Sequence, residues 1–270
     1  MRRLLIRPGA IGDCILSFPA MEHLKATYME VWVPGPVVSL VPFADAVRGL
    51  ASTGLDLVGV GDLKMPAGLR ASLQSFDSVV SWYGAGRSEF REALQDTGVR
   101  CEFHRALPPE GYGGHATDFF AQQVGAPSGL RPRIPVAGAM RRESIVVQPF
   151  SGSAKKNWPL ERYRELAMRL PHAVEWTAGP EEDLANAVRF EDLGSLAQWI
   201  SGGRLYIGND SGITHLAAAV GVPTVALFGP TDPQVWAPRG ENVVVLRANP
   251  IAELAVRDVM TAANRLLDSQ

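Results

Sequence analysis

The chain has few cysteines, no long apolar run and no strong charge bias. Its 270 residues include two cysteines, Cys14 and Cys101. That number excludes a disulfide scaffold and points to a reducing compartment. Neither belongs to a C-x-x-C pair, and no histidine cluster has metal-ligand spacing, so a zinc site is not expected. The formal net charge is -2, which provides no global attraction to nucleic acid. The N-terminal apolar run, Leu4 to Ile6, is far shorter than a signal-peptide core. No segment approaches the roughly 20 apolar residues that cross a bilayer. The expectation is a cytoplasmic protein with at most peripheral membrane contact.

Four missing motifs narrow the chemistry further. G-x-G-x-x-G is absent, which sets a dinucleotide turn aside. G-x-S-x-G is absent, so no serine nucleophile elbow is present. The P-loop pattern is absent. No two aspartates are spaced D-x-D, the usual metal-pyrophosphate grip. A bound diphosphate would have to be met by lysine and helix N-termini, and neither a metal nor a cofactor is called for.

What is present is a folded, globular composition, 46% hydrophobic and 20% charged. Short apolar runs alternate with helical patterns, the mark of an α/β protein with parallel sheets. Leu4-Leu5-Ile6, Val31-Trp32-Val33 and Ser78 to Trp82 read as strands of a first half. Helix spacing from Ile11 to Tyr28 contains Pro19, which predicts a kink or a restart. Positions 125–142 hold three prolines, three glycines and four arginines without a period, and read as a linker. A second series follows: strands at 144–148, 174–176, 205–207 and 224–228, and helices from Leu160 and from Ile213. Asn249-Pro250 reads as a cap and first-turn proline opening a last amphipathic helix. The expected division is 1–137, 138–250 and a terminal helix at 251–270 that packs back on the N-terminal domain.

Four constellations carry candidate chemistry. The first is Arg7-Pro8-Gly9-Ala10-Ile11-Gly12-Asp13, a glycine-bearing turn after strand one. Loops at strand ends line the crevice of open α/β sheets. Asp13 reads either as a general base or as a carboxylate stabilising the helix dipole. The second, Ser151-Gly152-Ser153-Ala154-Lys155-Lys156-Asn157-Trp158-Pro159, combines hydroxyls, glycine and lysine, as a phosphate-holding loop requires. It reads equally as a solvated basic loop. The third is Ile207-Gly208-Asn209-Asp210-Ser211-Gly212-Ile213-Thr214-His215-Leu216-Ala217-Ala218-Ala219, where a strand ends, a small-residue helix starts and its free N–H groups suit an anion. Against this, Asp210 or Ser211 reads as an N-cap and His215 as a satisfied core histidine. The fourth, Phe228-Gly229-Pro230-Thr231-Asp232-Pro233, is a rigid turn.

These pieces in this order resemble glycosyltransferase family 9, the ADP-heptose:lipopolysaccharide heptosyltransferases. The likeness is carried by Arg7 to Asp13 with Pro19-Ala20, by Lys156 to Tyr163, by Asp210 to Ala219 and by Pro223 to Pro233. It covers the C-terminal half nearly continuously and, in the N-terminal half, mainly the first thirty residues. The resemblance implies a GT-B architecture, two Rossmann-like domains facing across a cleft. It implies an inverting transfer without metal from a nucleoside diphosphate sugar, ADP-heptose or a similar ADP- or UDP-sugar, to a saccharide acceptor. Asp13, beside Gly12, would be the general base and Lys156 would hold the diphosphate. Ser151, Ser153, Asp210, Ser211, Gly212 and His215 would line the donor, and Glu182 would contact the ribose. The alternatives are a noncatalytic nucleotide-sugar binding protein and a nucleotide-sugar epimerase on the same scaffold. Positions 31–76 look compressed against the family, which puts the acceptor side furthest from it.

Overall fold

The computed structural model describes residues 1–59 and 64–269. The chain divides into two compact units. One comprises 1–112 and 117–130, the other 113–116 and 131–270. The chain passes from the first unit to the second at 130/131, ahead of the expected division at 137/138. The short segment 113–116 belongs with the second unit, although the chain returns to the first at 117–130.

The first unit opens with β1 (Arg2–Ile6), α1 (Ile11–His23), β2 (Tyr28–Val33) and β3 (Ala46–Gly49). It continues with α2 (Ala67–Gln74), β4 (Ser78–Ser81), α3 (Ser88–Gln95), β5 (Arg100–Phe103) and α4 (Ala116–Gln123). Its sheet has the order β3-β2-β1-β4-β5, with every neighbouring pair parallel. β1, at the centre, is buried on both faces by Leu4, Leu5 and Ile6. This is why it reads as a continuous apolar run and not as an alternation. Among the described residues between β2 and α2 lie β3 and three short 3-10 turns, Gly35–Leu40, Leu50–Ser52 and Leu55–Leu57. That Gly- and Pro-rich stretch has no period to read in the sequence. Pro19 sits inside α1, which runs from Ile11 to His23 without a restart. A proline in mid-helix removes one backbone donor. The burial of α1 from Cys14 to Met21 compensates for that loss.

The second unit comprises β6 (Ile145–Gln148), α5 (Leu160–Arg169), β7 (Val174–Trp176), α6 (Leu193–Ser201) and β8 (Leu205–Asn209). After these come α7 (Gly212–Ala219), β9 (Thr224–Phe228), α8 (Pro233–Trp236), β10 (Val243–Arg247) and α9 (Val256–Asp268). Its sheet has the order β10-β9-β8-β6-β7, again all parallel. The last helix begins later than expected. A 3-10 turn occupies Ile251–Glu253, and α9 starts after Ala255, not after Asn249. Its apolar stripe also differs from the expectation of a return to the N-terminal domain. Val256, Val259, Ala263, Leu266 and Leu267 join Ile145, Val147, Tyr163, Leu205 and Val225 in one cluster. The stripe is buried on α5, β8 and β9 of its own unit, where it finds an apolar partner surface.

Strand order reverses once in each sheet. In the first, the chain steps outward from β1 through β2 to β3 and resumes on the other side at β4. In the second, it steps from β6 to β7 and resumes on the other side at β8. At such a switch point neighbouring strand-end loops run apart and leave a crevice, where open α/β sheets hold ligands. Topology thus singles out the loops after β1 and β4 in one unit and after β6 and β8 in the other. Among the described residues no helix is long and apolar enough to cross a membrane.

Candidate functional site

The loops after β6 and β8 meet across the second switch point, and Asn209 at the end of β8 ties them. Its Oδ1 accepts the Trp158 backbone N–H at 3.0 Å and the Tyr163 hydroxyl at 2.9 Å. Its Nδ2 donates to the Pro149 carbonyl at 2.7 Å. One buried amide thereby fixes both ends of the loop that carries Ser151, Ser153 and Lys156. Trp158, itself buried, donates from Nε1 to the Leu254 carbonyl at 3.0 Å, and this anchors the loop to the segment before α9.

Lys156 and Asp210 come together. The Lys156 Nζ lies 2.7 Å from Asp210 Oδ2. Asp210 is 6% exposed, and Oδ2 has this cation beside it but no aligned hydrogen bond. A buried carboxylate beside a cation retains acceptor capacity for a further donor. Ser211 caps α7, accepting the Thr214 N–H at 3.4 Å. The N-cap reading is therefore realised by Ser211, and Asp210 is left to Lys156. Gly212 opens the helix without a side chain over its first turn, so the N–H groups there remain approachable.

His215, on the same helix, is 6% exposed, and its Nδ1 is buried with no hydrogen-bond partner. Burial pushes the imidazole down to about 4; Asp210 pulls the other way, while His115 and Lys156 add to the fall. A neutral ring with an orphaned nitrogen is not a satisfied core histidine. Tyr206 lies beneath the same helix turn. Its hydroxyl is 3.4 Å from Thr214 Oγ1 and donates to Gln148 Oε1 at 3.5 Å. Burial raises its pKa, so it stays a neutral donor. The ring needs Gly208: a Cβ there would lie 2.6 Å from the hydroxyl oxygen.

The remaining donor-side residues have local partners. The Ser151 hydroxyl donates to Asn157 Oδ1 at 2.7 Å and lies 3.0 Å from the Ser153 carbonyl. The Ser153 N–H points back at Ser151 Oγ at 3.4 Å. Glu182 Oε2 accepts the Gly179 N–H at 2.6 Å and so closes the turn after β7. The turn from Phe228 to Pro233 behaves as turn chemistry: Asp232 caps α8, with Oδ1 accepting from the Gln234 N–H at 3.1 Å.

Asp13 lies in the first unit, at the third position of α1 and next to buried Gly12. It is half-buried, and its Oδ2 accepts the Ala10 N–H at 3.3 Å. The helix-start reading is physically met, yet alanine has no side chain to return the bond, so the cap is one-sided. Gly9 precedes it at φ +121°, where a side chain would be strained. A Cβ there would also lie 3.3 Å from Asp13 Oδ2. Arg7, fully buried, is the residue whose weight the motif does not announce. It donates from Nε to Ser17 Oγ at 2.9 Å, from Nη1 to the Ala106 carbonyl at 3.0 Å and from Nη2 to the Asp13 carbonyl at 2.9 Å. Its guanidinium lies 4.6 Å from the centre of the Phe120 ring. Burial lowers its pKa, opposed by Cys14 and Asp13. It is the pin that fixes the turn carrying Asp13. Among the described residues no group of three or more His, Cys, Asp or Glu side chains is placed to hold a metal ion.

With this geometry in hand, the chain can be set beside known proteins. The sequence model of glycosyltransferase family 9 (heptosyltransferase) matches residues 119–263, more than half of the chain. A lipooligosaccharide heptosyltransferase 2 of Haemophilus influenzae is 38% identical over 92% of the chain and 88% of that protein.

The chain belongs to glycosyltransferase family 9.

Its match to lipopolysaccharide heptosyltransferase 3 of Escherichia coli, 32% identical, spans 42% of the chain but 39% of that protein. The family 9 fold is shared with E. coli heptosyltransferase WaaC in a structure with ADP-2-deoxy-2-fluoro heptose. That likeness has a TM-score of 0.66 at 18% identity and covers 98% of this chain and 99% of the other. Two Rossmann-like units, each with a five-stranded parallel sheet, are the GT-B organisation of this family 9 protein. The sequence reading gave no role of their own to Asn209, Tyr206 or Arg7. Asn209 stands directly before the recognised Asp210, and its position at a strand end was the available signal. Tyr206 and Arg7 read as ordinary strand and turn residues.

Proposed function

We propose that this protein transfers heptose from ADP-heptose, or a closely similar nucleoside diphosphate sugar, to a saccharide hydroxyl in lipopolysaccharide assembly. The observation that carries the reading is the Lys156–Asp210 pair at 2.7 Å at the β6/β8 switch point, beside the open first turn of α7. The donor diphosphate lies at that turn, with Gly212, Ser211 and the Ser151–Ser153 loop around it. His215 offers its neutral ring, and Glu182 faces the ribose. Two heptosyltransferase relatives and the WaaC structure with a fluorinated donor analogue support this choice of donor.

The reaction is a single displacement. Asp13 takes the proton of the acceptor hydroxyl, and the oxygen attacks the anomeric carbon from the face opposite the diphosphate. The bond from carbon to phosphate oxygen breaks and its electron pair leaves with ADP. Lys156 and the α7 N–H groups meet the growing charge, which is larger in the transition state than in the bound donor. One displacement inverts the anomeric centre. No metal ion is required, because lysine and helix dipole meet the diphosphate. The two cysteines are unpaired, consistent with work in the cytoplasm with at most peripheral membrane contact.

The test is thermal stabilisation by ADP, followed by transfer from ADP-heptose to a heptose-deficient lipopolysaccharide core, both in excess EDTA. Stabilisation should follow RT ln(1 + [L]/Kd) and the product should carry the inverted anomeric configuration. Stabilisation that vanishes in EDTA and returns with magnesium, or a retained configuration, overturns the reading.

A further inference from the structure

The carboxyl end of β6 carries a polar side chain to which the donor reading gives no task. Gln148 is the last residue of β6, directly before the loop of Ser151, Ser153 and Lys156. It is 7% exposed. In the parallel register Val146 stands beside Tyr206 and Gln148 beside Gly208. Side chains two apart on a strand share a face, so Gln148 and Tyr206 lie on one side of the sheet. α7 packs on that side, since the Thr214 hydroxyl is 3.4 Å from the Tyr206 hydroxyl. The Ser211 hydroxyl, 3.2 Å from that of Thr214, carries the same polar row to the head of the helix.

The row fixes which end of the Gln148 amide is in use. Gly208 has no side chain, and the Tyr206 hydroxyl fills the space above it. From there it donates to Gln148 Oε1 at 3.5 Å. Nε2 has no hydrogen-bond partner among the described residues, and it is not sealed from solvent as His215 Nδ1 and Asp210 Oδ2 are. An amide whose oxygen is engaged presents two N–H donors and no acceptor. A sugar hydroxyl brings a hydrogen of its own, whereas an ionised diphosphate oxygen only accepts. The free end of Gln148 therefore matches the phosphate part of a donor, at the same helix turn that offers its open N–H groups.

We propose that Gln148 is a further donor-binding residue, whose Nε2 donates to an oxygen of the diphosphate at the first turn of α7 while Tyr206 holds the other end of the amide. The inference rests on the donor reading given above and adds one contact to that site. A neutral donor to an anionic oxygen corresponds to roughly a five- to thirtyfold change in affinity.

The experiment is calorimetric titration of ADP into the full chain as wild type, Gln148→Met and Tyr206→Phe. Adenosine binding is followed beside it by ligand-observed NMR, which reads weak complexes. Methionine fills the volume of glutamine but has no N–H. Tyr206 keeps Thr214 as a partner in Gln148→Met, so the melting temperature without ligand should hold. The expected result is a five- to thirtyfold loss of ADP affinity in Gln148→Met with adenosine binding unchanged. Tyr206→Phe keeps the amide but frees it to turn, and should lose less. Wild-type ADP affinity in Gln148→Met would overturn the proposal. So would an equal loss for ADP and adenosine, which would make Gln148 a mere wall of the site. A larger loss in Tyr206→Phe than in Gln148→Met would assign the effect to the Tyr206–Thr214 contact and overturn it as well. If wild type binds no ADP at all, the donor reading itself fails, an outcome distinct from a Gln148→Met variant that binds ADP as wild type does.

Discussion

The two sheets share a topology of parallel strands with one reversal, yet their switch points are furnished differently. Beyond β1 stands a half-buried carboxylate, Asp13, on a turn pinned by a buried arginine. Beyond β6 and β8 stand a lysine, a buried aspartate paired with it and an imidazole with an orphaned nitrogen. The difference teaches which task each crevice suits. A neutral hydroxyl that must lose a proton needs one well-held base and little else. A diphosphate needs cations, open N–H groups and close backbone approach. Under the proposed function, one scaffold, used twice, would be divided between proton transfer and anion binding.

The strongest way to break this comparison is Asp13→Asn. If the first crevice serves only proton transfer, the variant should lose about 10² to 10⁴ in transfer rate by single-turnover assay. Asparagine can still accept the Ala10 N–H, so the melting temperature should hold. Full activity in this variant would return Asp13 to its helix-start role.

Next in size is Asn209→Ala, which sharpens the claim that the second crevice is built around one amide. It orphans the Trp158 N–H, the Tyr163 hydroxyl and the Pro149 carbonyl together. Unsatisfied buried groups cost about 1–3 kcal/mol each, with partial relaxation, so a loss of roughly 2–4 kcal/mol is expected in urea unfolding. A change below about 1 kcal/mol would deny Asn209 that role.

The smallest effect is in pH. His215 falls to about 4 in the folded protein, from an ordinary 6.5. The unfolded chain then binds more protons between those values, so stability rises with pH there. The contribution is fully present above 6.5 and is lost as pH falls toward 4. His215→Gln should flatten this part of the stability curve, measured by urea midpoints from pH 4 to pH 7. An unaltered curve would mean that the ring is not buried neutral.

The sequence reveals these two regions unequally. The central strands are legible because burial on both faces turns them into continuous apolar runs, as in Leu4 to Ile6 and Thr224 to Phe228. The Lys156 loop and the Asp210 turn, which the structure brings together, stand out in the sequence by residue type: lysine, hydroxyls, glycine. The described residues of positions 34–59 are not legible, since short 3-10 turns and a four-residue strand have no period to detect. The goal of the last helix was misread because amphipathicity says that a stripe is buried and not what covers it.

The division of labour is tested most directly by titrating ADP, in excess EDTA, into wild type, Lys156→Ala and Asp13→Asn. Losing one charge-assisted contact, worth roughly 1.5–3 kcal/mol, should weaken binding to Lys156→Ala by about one to two powers of ten. Asp13→Asn should bind as wild type does. If instead Asp13→Asn loses affinity and Lys156→Ala keeps it, the assignment of donor binding to the second crevice is contradicted.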